Sequence, residues 1–203
     1  MIAIIDYGLG NLGSIANMLK NIGEKSIITN NVQEIKNANK LILPGVGAFD
    51  AGMSQLEKYG LISVIKDEAK AGKPILGICL GMQLLGRKSE EGVKSGLGLI
   101  PFDNVRFCFP ESCKLKIPHM GWDIVDFKQY KPLISGIEGI QRYYFVHSYH
   151  AVCDQETNIL MKCDYGYQFA AAVCKDNIYG VQFHPEKSHD FGMKLFENFV
   201  KRC

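Results

Sequence analysis

Neither sign of charge dominates this 203-residue chain, where 23 Lys and Arg face 21 Asp and Glu for a formal net charge of +2. That balance supplies neither the basic field that attracts nucleic acid nor the acidic excess of a disordered tail. No apolar run approaches the roughly 18 residues needed to cross a bilayer, and no basic stretch with a small-residue cleavage site opens the chain. A cytoplasmic protein without membrane or nucleic-acid partners is expected. Seven cysteines, an odd number, form no C-x-x-C pair, which argues against a disulfide framework and for reduced, mostly buried thiols. Repeats, low-complexity segments and linkers are also missing. Residues 1–203 are therefore expected to form one domain, and a hydrophobic content of 47% lets it bury a substantial core.

The first half alternates strand and helix patterns. "IAIID" reads as a strand, Asn11 to Ile22 as a helix with Leu12, Ile15, Ala16 and Leu19 on one face, and Gly23 as its stop. Then follow the strand "SIIT", a short helix over "VQEIKNA", the strand "KLILPG", one longer helix through "LEKYGLISVIKDEA" and the strand "KPILGIC". Continuous apolar runs such as "PILGI" suit parallel strands covered on both faces. From about Val105 the stretches "NVRF", "WDIVDF", "RYYFVHSYHAV", "FAAAVC" and "IYGVQF" are rich in aromatic and β-branched residues, and read as antiparallel strands added to the sheet and its edge. A last helix, Asp190 to Lys201, puts Phe191, Leu195, Phe199 and Val200 on one stripe. The expected fold is α/β: a three-layer domain with a mostly parallel central sheet and helices on both faces.

Gly8, Gly10 and Gly13 have the G-x-G-x-x-G spacing of a dinucleotide site. Such a site also needs an acidic residue ending the second strand to hold the ribose. That strand ends at Thr29 and Asn30, and Glu24 precedes it. A tight turn exposed for a partner is the favoured reading.

"PILGICLGMQLL" is more informative, because Cys79 stands between Gly77 and Gly81 where a strand passes into a helix, as in a nucleophile elbow with Cys for Ser. Side chains at the two glycines would obstruct so sharp a turn, and the following helix N-terminus favours the thiolate. An inert buried thiol is the alternative until a base is found. Of five histidines, His184 in "GVQFHPEKS" has Glu186 two residues later; in an extended segment both project to one side, so the carboxylate can orient the ring. His147 and His150 read as satisfied core or rim histidines, and His189 as solvated surface. In "LILPGVGAF", backbone N–H groups near Val46 and Gly47 can approach a reacting carbonyl beside the N–H of Leu80. Donors aimed at a developing oxyanion are worth about 3 kcal/mol each.

"PGVGAF", "GICLGMQLL", "PHMGW", "YFVHSY" and "GVQFHPEKS", in this order over essentially the whole chain, resemble the class-I (triad) glutamine amidotransferases. With "DYGLGNLGS" they resemble, more narrowly, the glutaminase subunits of imidazole glycerol phosphate synthase. The resemblance implies a flavodoxin-like fold and a Cys79, His184, Glu186 triad that releases ammonia from glutamine through a thioester, with no cofactor or metal. It implies that Gln83, Glu91, His147 and Ser148 hold the glutamine. It also implies that Asn11, Trp122 and Lys187 face a (β/α)₈ barrel subunit, in a heterodimer. There ammonia would be passed through a sealed channel, to convert a formimino aminoimidazole carboxamide ribonucleotide into imidazole glycerol phosphate and the carboxamide nucleotide. Channelling keeps ammonia from becoming ammonium, which has no lone pair to attack with.

Three rivals remain at this stage. In a Cys-elbow protease or stress protein His commonly follows the nucleophile, and here Leu80 does. A catalytically silent binding subunit has no need of Cys79, His184 and Glu186 together. A paralogous glutaminase serving surface-sugar amidation keeps the chemistry and changes the acceptor, and "FDNVRFCFPESC" is less typical of the histidine-pathway subunits.

Overall fold

The computed structural model describes residues 1–203. Its centre is an 11-stranded mixed sheet. Five strands form the parallel half, β1 (Ile2–Ile5), β2 (Ser26–Thr29), β3 (Lys40–Leu43), β4 (Ile75–Ile78) and β11 (Ile178–Val181), in the order β2-β1-β3-β4-β11. The sheet continues antiparallel from β11 through β10 (Gln168–Lys175), β9 (Ile159–Asp164), β6 (His119–Phe127) and β7 (Gln141–His147). A flap of β5 (Phe102–Arg106) and β8 (Tyr149–Cys153) joins it at β10.

Alternation in β1 explains the layers. Ile2 and Ile4 enter one core with Ile15 and Leu19 of α1 (Leu12–Asn21) and Leu195 and Phe199 of α6 (His189–Arg202). Ala3 and Ile5 enter the other with residues of α2 (Val32–Asn37), α3 (Phe49–Lys58), α4 (Leu61–Lys70) and α5 (Leu80–Leu85). Both faces of the parallel half are thus covered, as its uninterrupted apolar runs require.

Several expectations need correction. The single helix through "LEKYGLISVIKDEA" is two, α3 and α4, parted at Tyr59 and Gly60, where Gly60 has φ +66° and turns the chain left-handed. "RYYFVHSYHAV" is also two elements, β7 and β8, broken at Ser148. Strand β9 has no counterpart among the strands read from sequence; "ILMKCD" lacks the aromatic density of its neighbours. And β11 is parallel to β4 while antiparallel to β10, so it joins the two halves. The glycine turn after β1 has Gly8 and Gly10 at φ +85° and +122°, and a Cβ on Gly10 would lie 3.1 Å from Pro44. All seven cysteine sulfurs are free, and no helix is long and apolar enough to cross a membrane.

Candidate functional site

The ladder between β4 and β11 sets Ile78 opposite Val181. Cys79 and His184 leave the sheet just beyond that rung, on neighbouring strands. Cys79 is buried, donates its N–H to the Val181 carbonyl at 2.8 Å, and has φ +53° and ψ −110°, a strained conformation for a residue with a Cβ. The flanking glycines are steric necessities. A Cβ on Gly77 would stand 2.7 Å from the Gly81 carbonyl oxygen, and one on Gly81 would collide with the Leu43 carbonyl of β3. Helix α5, which starts at Leu80, has only six residues, so its dipole reaches the sulfur only weakly.

His184 is stitched to β7. Its N–H donates to the Tyr144 carbonyl at 2.8 Å, while Ser188 Oγ donates to the His184 carbonyl at 2.7 Å and accepts from the Tyr144 N–H at 3.0 Å. The segment beyond it is not extended, as the sequence suggested, but a 3-10 turn over Pro185–Lys187. The turn still delivers Glu186 Oε1 to His184 Nδ1 at 2.8 Å, with both side chains almost wholly buried. Nε2 of His184 is buried without a hydrogen-bond partner. Burial works against an imidazolium here, but the Cys79 sulfur and the Glu186 carboxylate outweigh it and raise the His184 pKa to about 10.

Cys79 and His184 line a cavity of about 330 Å³ together with Val46, Gly47, Leu80, Gln83, Glu91, His147 and Ser148. The structure therefore assembles nucleophile, base, loop and binding residues named from sequence in one place. Several are already engaged. The Leu80 N–H donates to the Gly45 carbonyl at 3.3 Å, and Glu91 Oε2 accepts from the Phe49 N–H at 2.8 Å, at the start of α3. Gln83 Nε2 donates to the Tyr149 carbonyl at 3.2 Å and to Gln182 Oε1 at 3.1 Å, so Oε1 is what it can offer a ligand. His147 is buried and its pKa is lowered to about 3 by that burial, so the ring is neutral. Its Nδ1 faces the Tyr149 carbonyl at 2.8 Å and must carry the proton, so Nε2 accepts from His119 Nδ1 at 3.1 Å.

The other three predicted residues lie away from the cavity. Trp122 on β6 is 43% exposed, stacks parallel to His189 at 5.6 Å, and has the Arg142 guanidinium 5.7 Å above it. Met120 and Ile124 flank it on the same face, also exposed. Lys187 is exposed with Nζ 5.6 Å from the Tyr144 ring, and Asn11 stands before α1, which packs beside the Pro185–Lys187 turn. Residues that sequence reasoning missed are Gln182, fully buried with Nε2 3.8 Å from Cys79 Sγ, and Tyr7, whose hydroxyl donates to the Pro44 carbonyl at 2.5 Å. Gln182 was within reach, two places before His184 and just past the end of β11.

The model of the family "Glutamine amidotransferase class-I" matches residues 3–203. The chain belongs to that family. Among its relatives are proteins named imidazole glycerol phosphate synthase subunit HisH. That of Methanococcus maripaludis, HisH 2, is 55% identical over 100% of both chains. That of Pseudomonas aeruginosa, also HisH 2, is 52% identical over 99% of each. A third, from Sulfurimonas denitrificans, is 51% identical over 99% of this chain and 98% of its own. Identity at this level over whole chains places the amidotransferase among the HisH subunits. Solved structures share its fold: one titled as a glutamine amidotransferase has a TM-score of 0.74 over 99% of this chain and 98% of its own at 17% identity. "PurLQS from Thermotoga maritima" has 0.74 over 98% and 96% at 19% identity.

Proposed function

We propose that this amidotransferase hydrolyses glutamine at Cys79 and passes the ammonia to a (β/α)₈ barrel subunit of imidazole glycerol phosphate synthase. The observation that carries the reading is the vacant, buried Nε2 of His184 beside the Cys79 sulfur, with Nδ1 held by Glu186. Cys79 Sγ is the attacking atom, and His184, held by Glu186, carries the proton that the leaving nitrogen needs. The sulfur adds to the side-chain amide carbon, the carbonyl oxygen becomes an oxyanion, and the His184 proton goes to the nitrogen as the C–N bond breaks. Ammonia leaves a γ-glutamyl thioester. Water then adds to the thioester, giving its proton to His184, and glutamate departs as the thiolate returns.

Stabilising the oxyanion calls on the Leu80 N–H and on a backbone N–H at Val46 or Gly47. In this conformation Leu80 is bonded to the Gly45 carbonyl, so the loop must turn that carbonyl away before both donors can act. Docking of the partner is the event we assign to that change, which makes hydrolysis slow in the isolated subunit and fast in the complex. The docking face is the exposed row Met120, Trp122 and Ile124 with Asn11 and Lys187 beside it. Unpaired apolar side chains in a row suit a buried interface, and the relatives are named as subunits.

A second reading keeps the same chemistry and sends the ammonia to amidation of a surface sugar; the names of the relatives, all imidazole glycerol phosphate synthase subunits, favour the first. Replacing Cys79 with Ala tests the chemistry: glutamine hydrolysis is lost while ammonia supplied directly still drives the partner's reaction. Loss of both activities contradicts the division of labour. Assaying the co-purified barrel against each acceptor separates the two readings.

A further inference from the structure

Gln182 follows the last residue of β11, and its side chain is wholly buried. Three contacts decide which way its carboxamide points. The Tyr149 carbonyl can only accept, so the Gln83 atom 3.2 Å away is Nε2. That same nitrogen lies 3.1 Å from Gln182, whose facing atom is therefore Oε1. Nε2 of Gln182 is left on the other side, 3.8 Å from Cys79 Sγ. One backbone carbonyl thus orients two buried amides in series and brings an N–H donor to the sulfur.

We propose that Gln182 is a further catalytic residue of glutamine hydrolysis: its Nε2–H donates to Cys79 Sγ and stabilises the thiolate that attacks the amide carbon. This rests on Cys79 being the nucleophile. A neutral donor binds the anion more tightly than the thiol, and a buried carboxamide is a costly way to fill space unless its N–H groups are used. The other ionisable groups facing the sulfur are the His184 imidazole, Glu186 behind it, and the Tyr7 hydroxyl from the turn after β1. His184 can donate to sulfur only while it holds its second proton, which the reaction sends to the leaving nitrogen. The Tyr7 hydrogen is spent on the Pro44 carbonyl. Gln182 alone keeps its donor through the whole cycle, since an amide neither gains nor gives a proton in the working range.

The test is the pH profile of iodoacetamide alkylation, which needs neither glutamine nor partner. Cys108 is exposed, whereas Cys79 is reached through the cavity it lines, so the Cys79 peptide is followed by mass spectrometry. Gln182→Met, which keeps the volume and removes the donor, slows alkylation at pH 7 roughly tenfold and moves the profile to higher pH. Gln182→Glu, which sets an anion against the sulfur, slows it more. A Gln182→Met profile that superimposes on that of the unaltered chain overturns the proposal. Because a variant can fail to fold, the side-chain amide resonances of Gln182 are also followed by NMR in the unaltered protein. They move with the Cys79 titration if the hydrogen bond exists, and resonances that stay fixed across it overturn the proposal equally. Glutamine hydrolysis surviving in Cys79→Ala would instead remove Cys79 as the nucleophile, and with it the catalytic role of Gln182, while leaving the hydrogen bond itself in place.

Discussion

His184 and His147 share one cavity wall, yet their protonation is pushed in opposite directions. His147 meets burial with no carboxylate beside it and falls to about 3, whereas His184 has the Cys79 sulfur and Glu186 at hand and rises to about 10. The sign of each effect on stability follows. A histidine raised from an ordinary value of about 6.5 binds its proton more tightly when folded, so its contribution is complete below that pH and fades as pH climbs towards 10. Glu186→Gln removes part of this. The melting temperature of the unaltered protein exceeds that of the variant most near pH 6, and the gap narrows towards pH 10, as scanning calorimetry at several pH values will read. A gap constant with pH contradicts the buried ion pair. The same variant loses about a hundredfold or more in glutamine hydrolysis, since the ring is no longer held in its working tautomer. At this scale the pairing of His184 with Glu186 was legible as a two-residue spacing, but the engagement of Leu80 by Gly45 was not. Loop carbonyl orientation depends on a neighbour far away in sequence, here Tyr7, whose hydroxyl holds the adjacent Pro44 carbonyl.

Helix α5 is short, and its placement depends on what its first turn lacks. Gly81 lies so close to the Leu43 carbonyl that any side chain there drives α5 away from β3. Gly81→Ala therefore costs about 3 kcal/mol or more, through overpacking against backbone that cannot yield, and denaturant unfolding will read it. An alanine tolerated within about 0.5 kcal/mol, the range of an ordinary surface change, contradicts this geometry. Elements with one clear period were readable from sequence: β1, α1 and α6 lie within a residue or two of expectation. The errors fell where two elements abut without a polar break. Tyr59 and Gly60 interrupt a helical pattern without disturbing its apolar spacing, and Ser148 is a single residue between two aromatic strands. Strand β9 is not legible because "ILMKCD" has none of the aromatic residues that mark the strands around it, and its pairing with β10 and β6 is set from elsewhere in the chain.

For the molecule as a whole, the catalytic cavity and the exposed β6 face are served by the same short segments. Trp122 pairs across the ladder with Tyr144, Tyr144 holds the backbone of His184, and Lys187 lies in the turn that carries Glu186. A partner seated on Trp122 thus stands one strand away from the base. Trp122→Glu places a charge in the middle of that face; the variant folds, hydrolyses glutamine at its slow unpartnered rate, and fails to co-elute with the proposed partner subunit in size-exclusion chromatography. Co-elution unchanged places the interface elsewhere. The three-layer architecture and the order of the parallel strands were readable because alternating strand and helix patterns leave few topologies open. Where β11 would insert was not, since its partner β4 lies about a hundred positions earlier.

That insertion governs what can vary in such a chain. Cys79 and His184, the proposed nucleophile and base, follow the ends of adjacent strands, one and three residues beyond the rung shared by Ile78 and Val181, so their approach depends on the pairing of hydrogen-bonded strands about 4.8 Å apart. Loops can be rebuilt, acceptors exchanged and docking faces redrawn without moving that rung. Amide cleavage is in this sense the inflexible part of the molecule, and specificity is free to diversify around it.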